Sequence, residues 1–187
     1  MTQDRQRWTE GLVALALFTL TIPVANWMIG NVGTVCVPQG PCLIPVWPGV
    51  TAPSGVLMIG LALVLRDIVQ RRLGPGFGLA AIAIGTLISA FLAPPSIVLA
   101  STAAFLLSEL ADFAVYTPLQ RRRFVTAVFA SSVVGLVVDS AVFLWLAFGS
   151  LSYLPGQVIG KAWMVQLALP LMYALRRRDE RVGLTPA

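Results

Sequence analysis

The chain alternates six long apolar stretches with short polar turns, at about 10–26, 53–69, 77–93, 97–116, 124–148 and 157–175. An acyl layer roughly 30 Å thick takes about 20 helical residues to cross, so each stretch predicts a transmembrane helix. The second reaches that length only if it runs on through Asp67 to Val69. Composition agrees: 57% of residues are hydrophobic, 11% are charged and there is no histidine. The predicted fold is an all-α integral membrane protein, a single domain built as a compact bundle of six transmembrane helices.

Charge adds the orientation. Arg5 and Arg7 precede the first stretch; Arg66, Arg71 and Arg72 end the second; Arg121 to Arg123 follow the fourth; Arg176 to Arg178 and Arg181 follow the sixth. The other three connections contain no Lys or Arg. Basic residues collect on the cytoplasmic side, so both termini are expected inside and the protein is expected in the cytoplasmic (inner) membrane, with the lipid bilayer as its surroundings. The net charge of +5 is then topological, and nucleic acid is not an expected partner. A cleaved signal peptide is the competing reading of the first stretch, but it would leave five spans and "PVAN" is a weak cleavage site.

The connection at 27–52, "WMIGNVGTVCVPQGPCLIPVWPGVTA", is rich in Gly and Pro and carries no charge. It is expected to fold over the mouth of the bundle or to dip into it. Cys36 and Cys42 face an oxidising compartment there, free or paired as a disulfide across "VPQGP". Two thiols without histidine make a poor metal site, and neither a metal nor another cofactor is expected. Small residues four apart, Ala81, Gly85, Ser89 and Ala93 in the third stretch and Ala127, Ser131 and Gly135 in the fifth, let helix backbones approach closely. They serve packing within one subunit or, on the third stretch, the seam of a homodimer.

Polar residues inside the spans fall in two layers at about 1.5 Å of rise per residue. Asn26, Asp139 and Lys161 lie in the outer third; Asp67, Glu109, Asp112, Ser131 and Ser132 lie toward the inner half. Lys161 is the only lysine and Asp139 the only acid at its depth, so an ion pair is the economical way to neutralise both. It would serve as a coupling site or as a static structural pair. Phe105, Glu109, Asp112 and Tyr116 share one helix face, which must turn into the bundle. Asp67 and Asp112 are either ligand-facing or paired with Arg66, Arg71 or the Arg121 to Arg123 triplet.

Several pieces, in order and on the expected spans, resemble the queuosine-precursor transporters, also called the vitamin uptake transporter (VUT) family. They are "AN" at 25–26, "RDIVQRRLG" at 66–74, "ELADFAVY" at 109–116, "SSVVGLVVDSAVFLWLAF" at 131–148, and Lys161 followed by "LPLMY" at 169–173. The resemblance implies a compact six-helix carrier that imports 7-deazaguanine bases, with Asn26, Asp67, Glu109, Asp112, Asp139 and Lys161 at the matching positions. Ser132 or Leu136 stands where many members have Asn, and Arg71 where many have Glu, which leaves the transported base and any coupling ion open.

A guanine-like edge presents a ring N–H beside an amine, which one carboxylate can accept together, while its carbonyl needs a donor. Glu109, with or without Asp112, is the expected reader of the N–H edge, Lys161 or Asn26 the donor, and Phe105, Tyr116 or Trp27 the stacking ring. A second reading is the substrate-binding subunit of an ATP-driven vitamin or base importer. It would need small residues three apart on the first span as a docking surface, and Ala14 followed by Phe18 and Ala16 by Leu20 make a poor one. Enzyme activity is not expected, since the sequence offers neither histidine nor a nucleotide loop.

Overall fold

Six helices form where the apolar stretches predict them. In a computed structural model that describes residues 3–38, 41–93, 95 and 97–183, they are α1 (Gln3–Asn31), α2 (Val56–Leu73), α3 (Pro75–Leu92), α4 (Val98–Leu119), α5 (Phe124–Phe148) and α6 (Leu154–Val182). All but α2 are long and apolar enough to cross a bilayer, so this is a multi-pass membrane protein. The outermost helices overrun their stretches because a helix ends at the limit of its backbone hydrogen bonds, which polar side chains at a lipid boundary do not interrupt. Large apolar side chains such as Phe91, Leu99 and Leu167 point outward, as lipid requires.

The helix that falls short is the one at the centre. α2 packs against every other helix, and its Arg66, Asp67, Arg71 and Arg72 are all buried. A turn of one residue, Gly74, joins it to α3; φ of 98° suits glycine, and Pro75 then starts the next helix with its φ already set. On one side of α2, Phe18 and Ile22 of α1, Ala81 of α3 and Phe105 of α4 make an apolar core; on the other, Leu63 and Val64 meet Val128, Leu136 and Val165.

The bundle is not purely α-helical. Residues 27–52 do not dip in as an irregular loop but form a three-stranded antiparallel sheet, β1 (Val35–Cys36), β2 (Cys42–Trp47) and β3 (Val50–Pro53). Pairing satisfies backbone groups that a coil in an apolar setting would leave bare. Cys36 and Cys42 are cross-strand partners and are joined by a disulfide; residues 39–40 of the turn between them lie outside the described residues. The sheet rests on the first and last helices. Trp163 Nε1 donates to Val46 O at 2.9 Å, the Trp47 and Trp163 rings stack, and Ser54 Oγ donates to Met28 O at 2.7 Å. Gly156 permits the contact with β3, since a Cβ there would meet Thr51 O at 2.3 Å.

The small stripe of α3 is used inside the subunit. Ala81, Gly85 and Ser89 are buried, and a Cβ on Gly85 would lie 2.6 Å from the Phe105 ring.

Candidate functional site

Three groups of buried charge stack along the bundle. Nearest the sheet, α5 and α6 bring Asp139 and Lys161 together at 2.5 Å. Lys161 Nζ also donates to Ser140 Oγ at 2.7 Å and to Gln157 Oε1 at 2.9 Å, which satisfies its three donors. Gln157 was legible only as a residue one helical turn before Lys161, the spacing at which helix neighbours meet. The lysine backbone is gripped as well: a Cβ on Gly60 of α2 would come within 2.5 Å of Lys161 O.

Beside this pair lies a cavity of about 80 Å³, lined among others by Asn26, Phe105, Asp139, Phe143, Gln157 and Lys161. Asn26 Nδ2 donates to Ile22 O at 2.9 Å. Among the described residues Asp139 Oδ1 has no donor of its own. The cavity therefore offers an acceptor, a cation and two aromatic rings on a mostly apolar wall, the mix from which small-molecule sites are made.

One turn deeper the arrangement changes. Arg66 gathers the acids of α2 and α4: its Nε donates to Glu109 Oε2 at 3.1 Å, Nη1 lies 3.0 Å from Asp67 Oδ1, and Nη2 pairs with Asp112 Oδ1. Gln70 Oε1 accepts from Nη1 at 3.0 Å, and Ser131 Oγ donates to Asp67 Oδ2 at 3.2 Å. Asp112 thus faces Arg66, one of the pairings open for it from sequence, and so does Glu109, expected to face a ligand; neither lines the cavity. Tyr116 is wholly buried with its ring 5.6 Å from Arg66 Cζ, so it stacks on the guanidinium. Trp27 is 59% exposed and also lies outside the cavity lining. Of the expected ligand-facing residues, Asn26, Phe105 and Lys161 meet at the cavity; Glu109, Asp112 and Tyr116 sit behind Phe105.

The third group closes the far end. Arg71 and Arg72 of α2 reach Asp179 of α6 at 3.0 and 2.8 Å, and Arg72 and Arg178 reach Glu10 of α1 at 2.8 and 2.7 Å. Asp179 lies in the polar segment "RRRDER", past the end of the last predicted span. Its only sequence signal was an acid among arginines.

The result is a multi-pass bundle with a mostly apolar cavity beside one buried ion pair and an ionic cluster at the opposite end. The chain belongs to the family described as "Putative vitamin uptake transporter", whose profile matches residues 55–175. Lys161 and the acids of α2, α4 and α5 fall inside the matched segment; Asn26 and the disulfide precede it. No curated protein and no solved structure matches the chain.

Proposed function

We propose that the chain is a six-span importer of 7-deazaguanine bases in the cytoplasmic membrane, with both termini inside. α2 is the sixth span, admitted to the bilayer because five other helices surround its charges. The observation that carries the reading is the cavity at the Asp139–Lys161 pair, together with family membership.

The lining supports a different carboxylate as reader of the base. Asp139 accepts from the paired N–H edge, Lys161 or Asn26 donates to the carbonyl after giving up one present contact, and Phe105 or Phe143 stacks on the ring. Glu109 and Asp112 take part only if Arg66 releases them. A cavity of about 80 Å³ is smaller than the roughly 150 Å³ that accommodates benzene, so a bicyclic base needs the sheet end to open wider. The opposite end, held by Asp179 and Glu10, opens in turn to complete passage.

The test is uptake of a labelled 7-deazaguanine base by cells that lack their own transporter and synthesis, comparing the native chain with Asp139→Asn and Glu109→Gln. Native uptake that Asp139→Asn abolishes, and that analogues lacking the exocyclic amine fail to inhibit, supports the assignment. Uptake abolished by Glu109→Gln alone would return the reading role to Glu109. A well-expressed native chain with no uptake would sink the substrate class.

A further inference from the structure

Two of the three buried ionic groups have acid and base in near balance. Lys161 cancels Asp139, and Arg71 and Arg72 face Asp179 and Glu10, with Arg178 sharing both acids from a half-exposed position. The middle group is different: one guanidinium, Arg66, faces Asp67, Glu109 and Asp112, all at most 1% exposed.

Among the described residues, the elements around it bring no second cation to these acids. α3 contains no charged residue, and the charged residues of α1 are confined to positions 4–10, at its far end. α5 brings Ser131 and, toward the cavity, Asp139, which Lys161 of α6 already engages; Arg71 is held by Asp179. Fully ionised, the middle group would hold two uncancelled negative charges away from water, a state that buried carboxylates do not sustain.

Independent atoms point the same way. Asp112 Oδ2 is a buried acceptor without a donor, set 3.2 Å from where a Cβ on Gly135 would stand. Tyr116 Oη, one turn further along α4, and Ser132 Oγ are also buried with no hydrogen-bond partner among the described residues. A proton added to a carboxylate turns one acceptor oxygen into a donor and removes the negative charge that an unpartnered, buried carboxylate oxygen would otherwise carry.

We propose that the Arg66 group is a proton-binding site: Asp67, Glu109 and Asp112 together hold two protons in this conformation, and give up at least one during the transport cycle. The bond formed is O–H on a carboxylate, with the proton drawn from and returned to water; no electron moves. Phe105 lines the cavity one helical turn from Glu109, and the missing Cβ of Gly85 leaves room for its ring. Proton occupancy stands by itself; its use in transport rests on the carrier reading above.

The experiment is infrared spectroscopy of the purified full chain in sodium-free lipid nanodiscs at neutral pH. The native chain is expected to show a carboxylic-acid carbonyl band that shifts in deuterated water. At least one of Asp67→Asn, Glu109→Gln and Asp112→Asn should lower it, while Glu180→Gln, an exposed position, should leave it unchanged. Asn and Gln match the protonated acid in shape and charge, so these variants keep the packing around Arg66. A native chain without the band, a band that survives in all three variants, or a band that sodium ions remove would overturn the proton site.

The coupling is read in proteoliposomes. An alkaline interior should speed uptake of the labelled base several-fold, and the variant that lowers the band should lose that response. A native band with uptake indifferent to the gradient overturns the coupling. A native band with no uptake at all upholds the proton site and sinks the proposed substrate instead.

Discussion

α2 and α3 are both 18-residue helices joined by a single glycine, yet they solve opposite problems. α3 has no charged residue and turns Leu87 and Phe91 to the lipid; α2 carries Arg66, Asp67, Arg71 and Arg72 and has protein on every side. By length and charge count α3 qualifies as a membrane span, whereas α2, with Arg66, Asp67, Arg71 and Arg72, does not. The pair teaches that apolar content measures the area a helix shows to lipid, and says little about a helix enclosed by others.

Removing a partner from α2 should have the largest effect. Arg66→Leu leaves Asp67, Glu109 and Asp112 without their cation. Breaking a buried ion pair on one side costs about 3–5 kcal/mol, so the variant should be lost from the monodisperse fraction in mild detergent size-exclusion chromatography. A variant that elutes and melts like the native chain would end the claim that α2 is organised by its charges.

A steric change on the same helix ranks second. Gly60→Ala drives a Cβ to 2.5 Å from Lys161 O, and because the obstacle is backbone, α2 and α6 must move apart. Overpacking of this kind costs about 1–3 kcal/mol, to be read as a lower Tm in detergent. An unchanged Tm would mean that the two helices can separate freely.

The smallest effect belongs to α3. Leu87, 59% exposed, faces the surrounding lipid, and Leu87→Ala should change stability by no more than about 0.5 kcal/mol, with Tm unchanged within error. A marked loss would reveal a partner on that face and remove the contrast between the two helices.

Much of the helical order was legible because lipid imposes a simple rule: apolar runs of sufficient length must be helices. The fifth stretch coincides with α5, and Lys161 could find Asp139 because each is alone of its kind at that depth. The sheet was not legible. Its strands are short, and Gly and Pro within 27–52 read equally well as coil. The Arg66 group was legible only as one option among several pairings for Asp112 and Asp67, since 43 residues separate Arg66 from Glu109 and nothing local fixes how α2 and α4 turn toward each other. Glu109 read as ligand-facing for the same reason: periodicity shows that a face turns inward, but not whether a solute or an arginine waits there.

α6 reaches both ends of the bundle, touching β2 and β3 through Trp163 and Gly156 and the far end of α2 through Asp179. Ribosomes deliver the chain from its N-terminus, so α1 to α5 are made before these contacts exist. Until α6 emerges, Asp139 and Arg71 await the counter-charges that Lys161 and Asp179 bring. A chain without α6 is thus marked by unneutralised charge at two levels of the bundle, and α6 removes it first through Lys161 and then through Asp179.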